Sequence, residues 1–218
     1  MNFSKSLRDI FKGRRFLGAM FPILVFGIVT LVDADELDPY LKIKGTETGK
    51  KILQMARKTI LFYLKTGKTA EPDFSLESPW LGSQAGVFVT LVKKNHVRSC
   101  VGSFFPEEKS FLDAVVNTAV KSTYFDTRFS PVEVEEVPDL RIIISVTGKM
   151  TPVDDPYSVN FFTYGVLIKQ GNRSAVLLPG EAKTVNWGIK SLMKESGIKK
   201  DISPIEYCTF KTITIEEE

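Results

Sequence analysis

Two short segments hold the residues of this chain whose types and spacing could do chemistry. In the first, an arginine, a cysteine and a glycine alternate at Arg98, Cys100 and Gly102. Alternate side chains of a β-strand share one face, so this spacing predicts a guanidinium beside the thiol. A nearby cation favours the reactive thiolate, and a glycine leaves room for a substrate to approach the sulfur. We therefore expect Cys100 and Arg98 to be catalytic and Gly102 to lie in the binding site.

The second segment is Asp126-Thr127-Arg128-Phe129, which follows a predicted helix. A carboxylate and a guanidinium two residues apart either brace each other and cap that helix, or orient Arg98 and bind an anionic group. We therefore include Asp126 and Arg128 in the expected binding site. The single histidine, His96, lies roughly 13 Å along the strand from Cys100, too far to act on the thiol as a base.

Three interpretations of these segments stay open at the level of sequence. In the first, Cys100 is the nucleophile or thiol carrier of an enzyme, and Arg98 holds its thiolate. In the second, the two segments form a non-catalytic binding module that is tethered to a membrane. In the third they are structural, with Cys100 packed as a small hydrophobic residue and Arg98 bridged to Asp126.

Composition narrows the class of protein and of ligand. The 218 residues are 43% hydrophobic and 25% charged, as in an ordinary globular domain. The net charge of +3 comes from residues 1–34, where five basic residues face two acidic ones, so we expect no nucleic-acid partner. One histidine and two cysteines cannot form a closed zinc site of the usual type, and no dinucleotide or P-loop motif occurs. We predict no metal and no cofactor.

The N-terminal segment contains an uncharged, mainly apolar run of 17 residues from Phe16 to Val32, preceded by Arg14-Arg15. This length suits a short membrane anchor or a long signal-peptide core, and a buried helix is the third alternative. Residues 1–34 are therefore interpreted as a signal anchor or signal peptide and 35–46 as a linker. Either membrane alternative places the domain outside the cytoplasm. Without a signal the protein would be cytoplasmic.

The elements that must position the two segments follow from periodicity. Apolar spacing predicts a helix over 47–65, and β-rich runs around Lys93-Lys94-Asn95-His96 predict a hairpin over 86–103. The remaining expected elements are helices over 106–122 and 182–195 and strands over 140–146, 165–169, 174–178 and 205–215. Strands linked mainly by turns indicate an α+β fold, with a mostly antiparallel sheet and flanking helices.

Several motifs in order make residues 47–218 similar to the AMMECR domain. They are the strand from Gly86, Val97-Arg98-Ser99-Cys100-Val101-Gly102 and the segment from Asp126 to Pro131. The resemblance implies a larger and a smaller lobe, with the Arg-x-Cys-x-Gly segment beside a cleft. It also implies a biochemical activity that is undetermined. Bacterial and archaeal relatives are called protein A of the AmmeMemoRadiSam system, so a Memo-like protein and a radical SAM protein are the implied partners.

The chain departs from the family pattern at three places. Ser99 stands where the family usually has glycine, and Thr127 where it usually has proline. The hydroxyl of Ser99 is expected on the strand face opposite Cys100, and Thr127 is expected to loosen the loop that holds Arg128. The third departure is the N-terminal apolar run, since typical relatives look cytosolic. An exported domain would be separated from cytosolic partners.

Overall fold

The computed structural model describes residues 36–76, 85–105, 108–199 and 204–217. The predicted signal anchor or signal peptide over residues 1–34 lies outside these residues and stays a prediction. In the described part of the chain, no helix combines the length and the apolar character needed to cross a membrane.

The described residues form an α+β fold with two four-stranded antiparallel sheets. The first sheet has the strand order β2-β1-β3-β8 and the second has the order β4-β7-β5-β6. The helices are α1 (Asp38–Ile43), α2 (Glu47–Thr66), α3 (Phe111–Lys121) and α4 (Val185–Ser196). The strands are β1 (Gly86–Lys93), β2 (His96–Ser103), β3 (Leu140–Thr147), β4 (Thr151–Pro152), β5 (Gly165–Gln170), β6 (Arg173–Leu177), β7 (Glu206–Phe210) and β8 (Thr212–Glu216). The predicted fold class is confirmed.

The larger lobe consists of the first sheet with α1, α2 and α3. Strand β1 lies between β2 and β3, and its side chains at Val87, Val89 and Leu91 join the core formed with α2 and α3. Its Phe88 points to the opposite face and packs with Phe210 of the second sheet. A strand buried on both faces reads as a continuous apolar run, which is the pattern of GVFVTLV.

The smaller lobe consists of the second sheet and α4, with a separate core that includes Val166, Ile168 and Ile189. Aromatic side chains join the two lobes. The Phe104 ring lies 5.1 Å from the Phe88 ring and 4.6 Å from the Phe210 ring, edge-on to both. Edge-to-face pairs at this separation are favourable beyond the area that they bury. The two sheets therefore share a third apolar cluster.

Two predicted elements differ from the structure. Residues 36–46, predicted as a linker, contain α1, and Leu37, Tyr40 and Ile43 are buried in the core of the larger lobe. The predicted closing strand over 205–215 is two strands, because the chain passes from the second sheet to the first at Lys211. The backbone oxygen of Lys211 accepts the N–H of Gly148 at 2.9 Å.

Candidate functional site

The hairpin of β1 and β2 brings the first chemistry-bearing segment to the edge of the first sheet. Its turn residues Lys94 and Asn95 have positive φ angles of 51° and 63°, as a tight two-residue hairpin turn requires. The register places Cys100 opposite Thr90 on the central strand β1. The side of Cys100 that carries its thiol faces the apolar cluster between the lobes.

The Cys100 thiol is packed and its charged form is disfavoured. Thr90 Oγ1 donates a hydrogen bond to Cys100 Sγ at 3.1 Å. The residue as a whole is only half-buried, but protein atoms crowd its sulfur. This desolvation, reinforced by the negative charge of Glu181, raises the pKa of the thiol from 9.0 to about 12, against the smaller opposing effects of Thr90 and Arg128. At neutral pH the group is therefore a neutral thiol rather than a nucleophilic thiolate.

The predicted pairing of Arg98 with the Cys100 thiolate is not present. The register of β2 shifts at Arg98, because Leu91 faces Ser99 and Val92 faces Val97. An extra residue of this kind breaks the alternation of faces on which the prediction depended. The Arg98 guanidinium instead forms hydrogen bonds of 3.1 and 2.9 Å to the two carboxylate oxygens of Glu136.

The same guanidinium also holds a loop. Arg98 donates to the backbone oxygens of Ser130 and Pro131 at 2.9 and 3.0 Å. Glu136, on the 3-10 helix Val134–Asp139, also accepts a hydrogen bond from Lys93 at 2.9 Å. Its hydrogen bond with Arg98, aided by the one with Lys93, lowers the pKa of the Glu136 carboxyl to about 2. Arg98 is thus a positioning residue for the chain before the 3-10 helix.

Asp126 and Arg128 form the predicted brace, and Asp126 also reaches β2. The carboxylate of Asp126 accepts bonds of 2.9 and 2.8 Å from the Arg128 guanidinium and one of 2.9 Å from the Cys100 backbone N–H. These hydrogen bonds, led by that of Arg128, outweigh desolvation and hold the pKa of Asp126 below its usual value. Arg128 also lies 3.5 Å from a carboxylate oxygen of Glu195 on α4.

Gly102 does not leave space beside the sulfur. A Cβ at this position would overlap the ring of Phe88, so this ring of β1 fills the space that a side chain at residue 102 would need. The expectation that Gly102 admits a substrate to the thiol therefore fails. Gly102 instead lines a groove of about 270 Å³ whose walls include the exposed rings of Phe105 and Phe125.

Sequence reasoning missed three carboxylates around these segments. Glu136 and Glu195 bind the two arginines, and Glu181 accepts the backbone N–H of Leu178 at 2.8 Å. Although Glu181 is exposed as a residue, protein surrounds its carboxyl group closely enough that desolvation raises its pKa. Glu136 lies 38 residues along the chain from Arg98, Glu181 lies 81 residues from Cys100 and Glu195 lies 67 residues from Arg128, so local spacing could not have paired these groups.

Hydrogen bonds join Cys100, Asp126 and Arg128, and the guanidinium of Arg98 binds Glu136. Glu181 lies near enough for its negative charge to act on the Cys100 thiol. Within the described residues, no group of three or more His, Cys, Asp or Glu side chains has the arrangement of a metal site. Residues 124–131 form a loop, here called the 124–131 loop, that contains the second segment and is contacted by the first. Asp126 and Arg98 fix it from both ends, and it displays Tyr124, Phe125 and Phe129 to solvent.

Comparison with known proteins adds the family. A protein-family model described as AMMECR1 matches residues 53–217. The chain is 32% identical to protein PH0010 of Pyrococcus horikoshii over 174 residues, which are 75% of this chain and 82% of that protein. It is 30% identical to protein MK0488 of Methanopyrus kandleri over 189 residues, 79% of this chain and 89% of the relative.

A solved structure supports the same relationship. The fold is similar to the crystal structure of the uncharacterized protein PH0010 from Pyrococcus horikoshii, with a TM-score of 0.68 and 28% sequence identity. The match covers 79% of this chain and 92% of that chain. The similarity therefore extends over both lobes.

Proposed function

We propose that this chain, which belongs to the AMMECR1 family, acts as a partner-binding module and not through a cysteine nucleophile. One observation carries the proposal. The polar residues that suggested catalysis are used to hold the 124–131 loop, since Asp126 binds the backbone of β2 and Arg98 binds two carbonyls and Glu136. The thiol between them has a pKa raised to about 12.

The side chains that this loop displays are those of a binding surface. Phe125 is 64% exposed, and Tyr124 and Phe129 are 48% and 39% exposed. The Arg128 guanidinium lies 5.7 Å from the centre of the Phe129 ring, and Tyr124 lies 5.7 Å from the ring of Tyr63 on α2. Aromatic residues and arginine contribute most of the binding free energy of many protein interfaces, and side chains whose geometry is fixed in advance lose less entropy on binding.

A membrane tether is the second part of this proposal and comes from the sequence. The uncharged run from Phe16 to Val32 would hold the module at a membrane. The partners that the family suggests are a Memo-like protein and a radical SAM protein. A partner that meets the 124–131 loop must reach the side of the membrane on which the domain lies.

Direct titration of the full chain with purified Memo-like and radical SAM proteins tests the proposal. Phe125→Ala is expected to raise the Kd for the true partner about tenfold, as for an aromatic hot spot. Phe162→Ala is the matched control, since Phe162 is 68% exposed on the smaller lobe and should leave the Kd unchanged. Cys100→Ala should also leave it unchanged. Binding of neither protein, or a Kd that depends on Cys100 and not on Phe125, would contradict the proposal.

A further inference from the structure

The sheet of the larger lobe has two edges, and they differ in how well they are protected. One edge is β2, where an extra residue interrupts the pairing with β1 and the Asp126 carboxylate binds the Cys100 N–H. Bulges and covering groups of this kind keep an edge from pairing with another chain. The other edge is β8, whose register with β3 is regular along its whole length and whose sequence TITIE contains no proline or lysine. Such an edge is a template for strand pairing.

Three residues of β8 turn their backbone hydrogen-bonding groups away from the sheet. The Glu217 N–H donates to the Ile142 oxygen at 3.1 Å, in register with the pairing of β3 and β8. Because alternate residues of an antiparallel strand bond to the same neighbour, Glu217 and every second residue before it bond to β3. The residues between them face outward and, in the described part of the chain, their N–H and C=O groups have no hydrogen-bond partner: Thr212, Thr214 and Glu216.

We propose that β8 pairs with β8 of a second copy of this chain, antiparallel and with the two-fold axis at Thr214. In this register Thr214 faces Thr214 of the second copy, Thr212 faces Glu216, and Ile213 faces Ile215. The outward groups form two hydrogen bonds in each residue pair, about six in all, and no other antiparallel register engages all three outward residues of both copies. Apolar side chains face each other on one side of the sheet and threonines on the other, which are favourable cross-strand pairs. The edge is therefore self-complementary, as a two-fold interface requires.

A groove beside β8 has space for a side chain that this pairing adds. It has a volume of about 310 Å³ and lies between Ile215 and the first turns of α2, where Gly49 and Leu53 line it. Ile213 of the second copy would lie opposite Ile215 on this face and would enter the groove. In the single chain, Ile213 is only partly buried against the core. Pairing would therefore remove more of this apolar side chain from water in each copy.

The pairing adds no uncompensated charge and leaves the other edge open. Glu216 is the single charged residue of β8, and Arg141 of β3 binds its carboxylate at 2.7 Å. Strands β8 and β2 lie at opposite edges of one sheet, so the 124–131 loop beside β2 stays accessible in the dimer. The inference goes beyond the proposed function and does not depend on it, so either proposal can fail alone.

Sedimentation velocity of the full chain tests this pairing, in a nonionic detergent because the run from Phe16 to Val32 is apolar. The mass of the protein should double as its concentration rises through the micromolar range. Thr214→Lys and Thr214→Glu should each weaken the association about fivefold, because like charges then face each other across the axis. An equimolar mixture of the two variants should restore it, because opposite charges then face each other.

Ser174→Lys is the matched control, since Ser174 is an exposed residue of β6 at the edge of the other sheet, and it should change nothing. Thermal unfolding verifies that the variants fold. A second measurement needs no substitution: the Thr214 amide should exchange hydrogen more slowly as the concentration rises, because pairing gives it an acceptor. The proposal is overturned by a chain that stays monomeric, by exchange at Thr214 that does not depend on concentration, by association that both Thr214 variants retain in full, or by a mixture that associates no better than either variant alone.

Discussion

The carboxylate of Asp126 accepts the backbone N–H of Cys100 at 2.9 Å, which joins the two chemistry-bearing segments through the main chain. Strand β2 is at the edge of its sheet, where unpaired N–H groups are open to solvent or to another strand. The carboxylate covers one of these groups and at the same time binds Arg128. The two segments are neighbours because Asp126 of the second segment binds the backbone of the first.

This relationship predicts a local change in amide exchange. In Asp126→Ala, the Cys100 amide loses its acceptor and should exchange hydrogen faster with solvent, because its opening no longer requires a charge-assisted bond to break. Native-state hydrogen exchange measures the rate at that amide. Asp155→Ala is the control, since Asp155 makes a comparable bond of 2.9 Å to the Tyr157 amide in the smaller lobe. An unchanged rate at Cys100 in Asp126→Ala would contradict the observed contact.

Arg98 is expected to contribute to stability. Arg98→Met removes four hydrogen bonds and leaves Glu136 with Lys93 as its side-chain partner, so the free energy of unfolding should fall by about 2 kcal/mol. Urea titration measures it. Arg98→Lys should be intermediate, because an ammonium cannot bind both carboxylate oxygens in the planar geometry of a guanidinium. An unchanged free energy of unfolding in Arg98→Met would show that the four hydrogen bonds of Arg98 contribute nothing to stability.

The lowered pKa of the Glu136 carboxyl predicts how the stability of the protein depends on pH. Its pKa in the folded protein is lowered from 4.5 to about 2, first of all by the hydrogen bond from Arg98. A lowered folded pKa stabilises the protein above the unfolded value, and this contribution is lost as the pH falls from 4.5 towards 2. Thermal unfolding across this interval should show a smaller loss in Glu136→Gln and in Arg98→Met than in the unmodified chain. Equal slopes in all three proteins would exclude this linkage.

Ser99 and Ser122 provide a matched pair of buried serines. Ser99 is 2% exposed, and among the described residues its hydroxyl is buried without a hydrogen-bond partner. Ser99→Ala should therefore raise the free energy of unfolding by about 1 kcal/mol. Ser122 is 1% exposed and its hydroxyl donates to the Ala119 oxygen at 2.7 Å, so Ser122→Ala should lower it by about the same amount. Changes of the same sign in a chemical denaturation experiment would disagree with this assignment.

The fold could be predicted because its signals are local. The helix over Glu47–Thr66 begins at Thr46, whose hydroxyl accepts the Gly49 N–H, and ends at Gly67 with a φ of 69°. Both are signals that are visible in a sequence. The helix α1 also has a local signal, because Leu37, Tyr40 and Ile43 recur at a spacing of three, as on one face of a helix.

The site could be predicted only as a location. The alternation of faces in a strand placed Arg98 beside Cys100, and a single extra residue in β2 was enough to direct it to Glu136. A bulge depends on the pairing of two strands and not on one of them. The change of sheet at Lys211 was equally hidden in the sequence, because the alternating pattern continues on both sides of this residue while the chain passes from the second sheet to the first. Contacts between residues that are tens of positions apart determine both the partner of Arg98 and the change of sheet at Lys211.

The reactivity of Cys100 against pH tests the binding-module hypothesis most directly. The full chain with Cys208→Ser carries Cys100 as its single thiol, and Cys100→Ser carries Cys208 as the reference. The alkylation rate of folded Cys100 should stay low and rise only towards pH 12, whereas the unfolded chain should react with an inflection near pH 9.0. An inflection in the folded protein well below 9.0 would show a stabilised thiolate and restore the cysteine nucleophile.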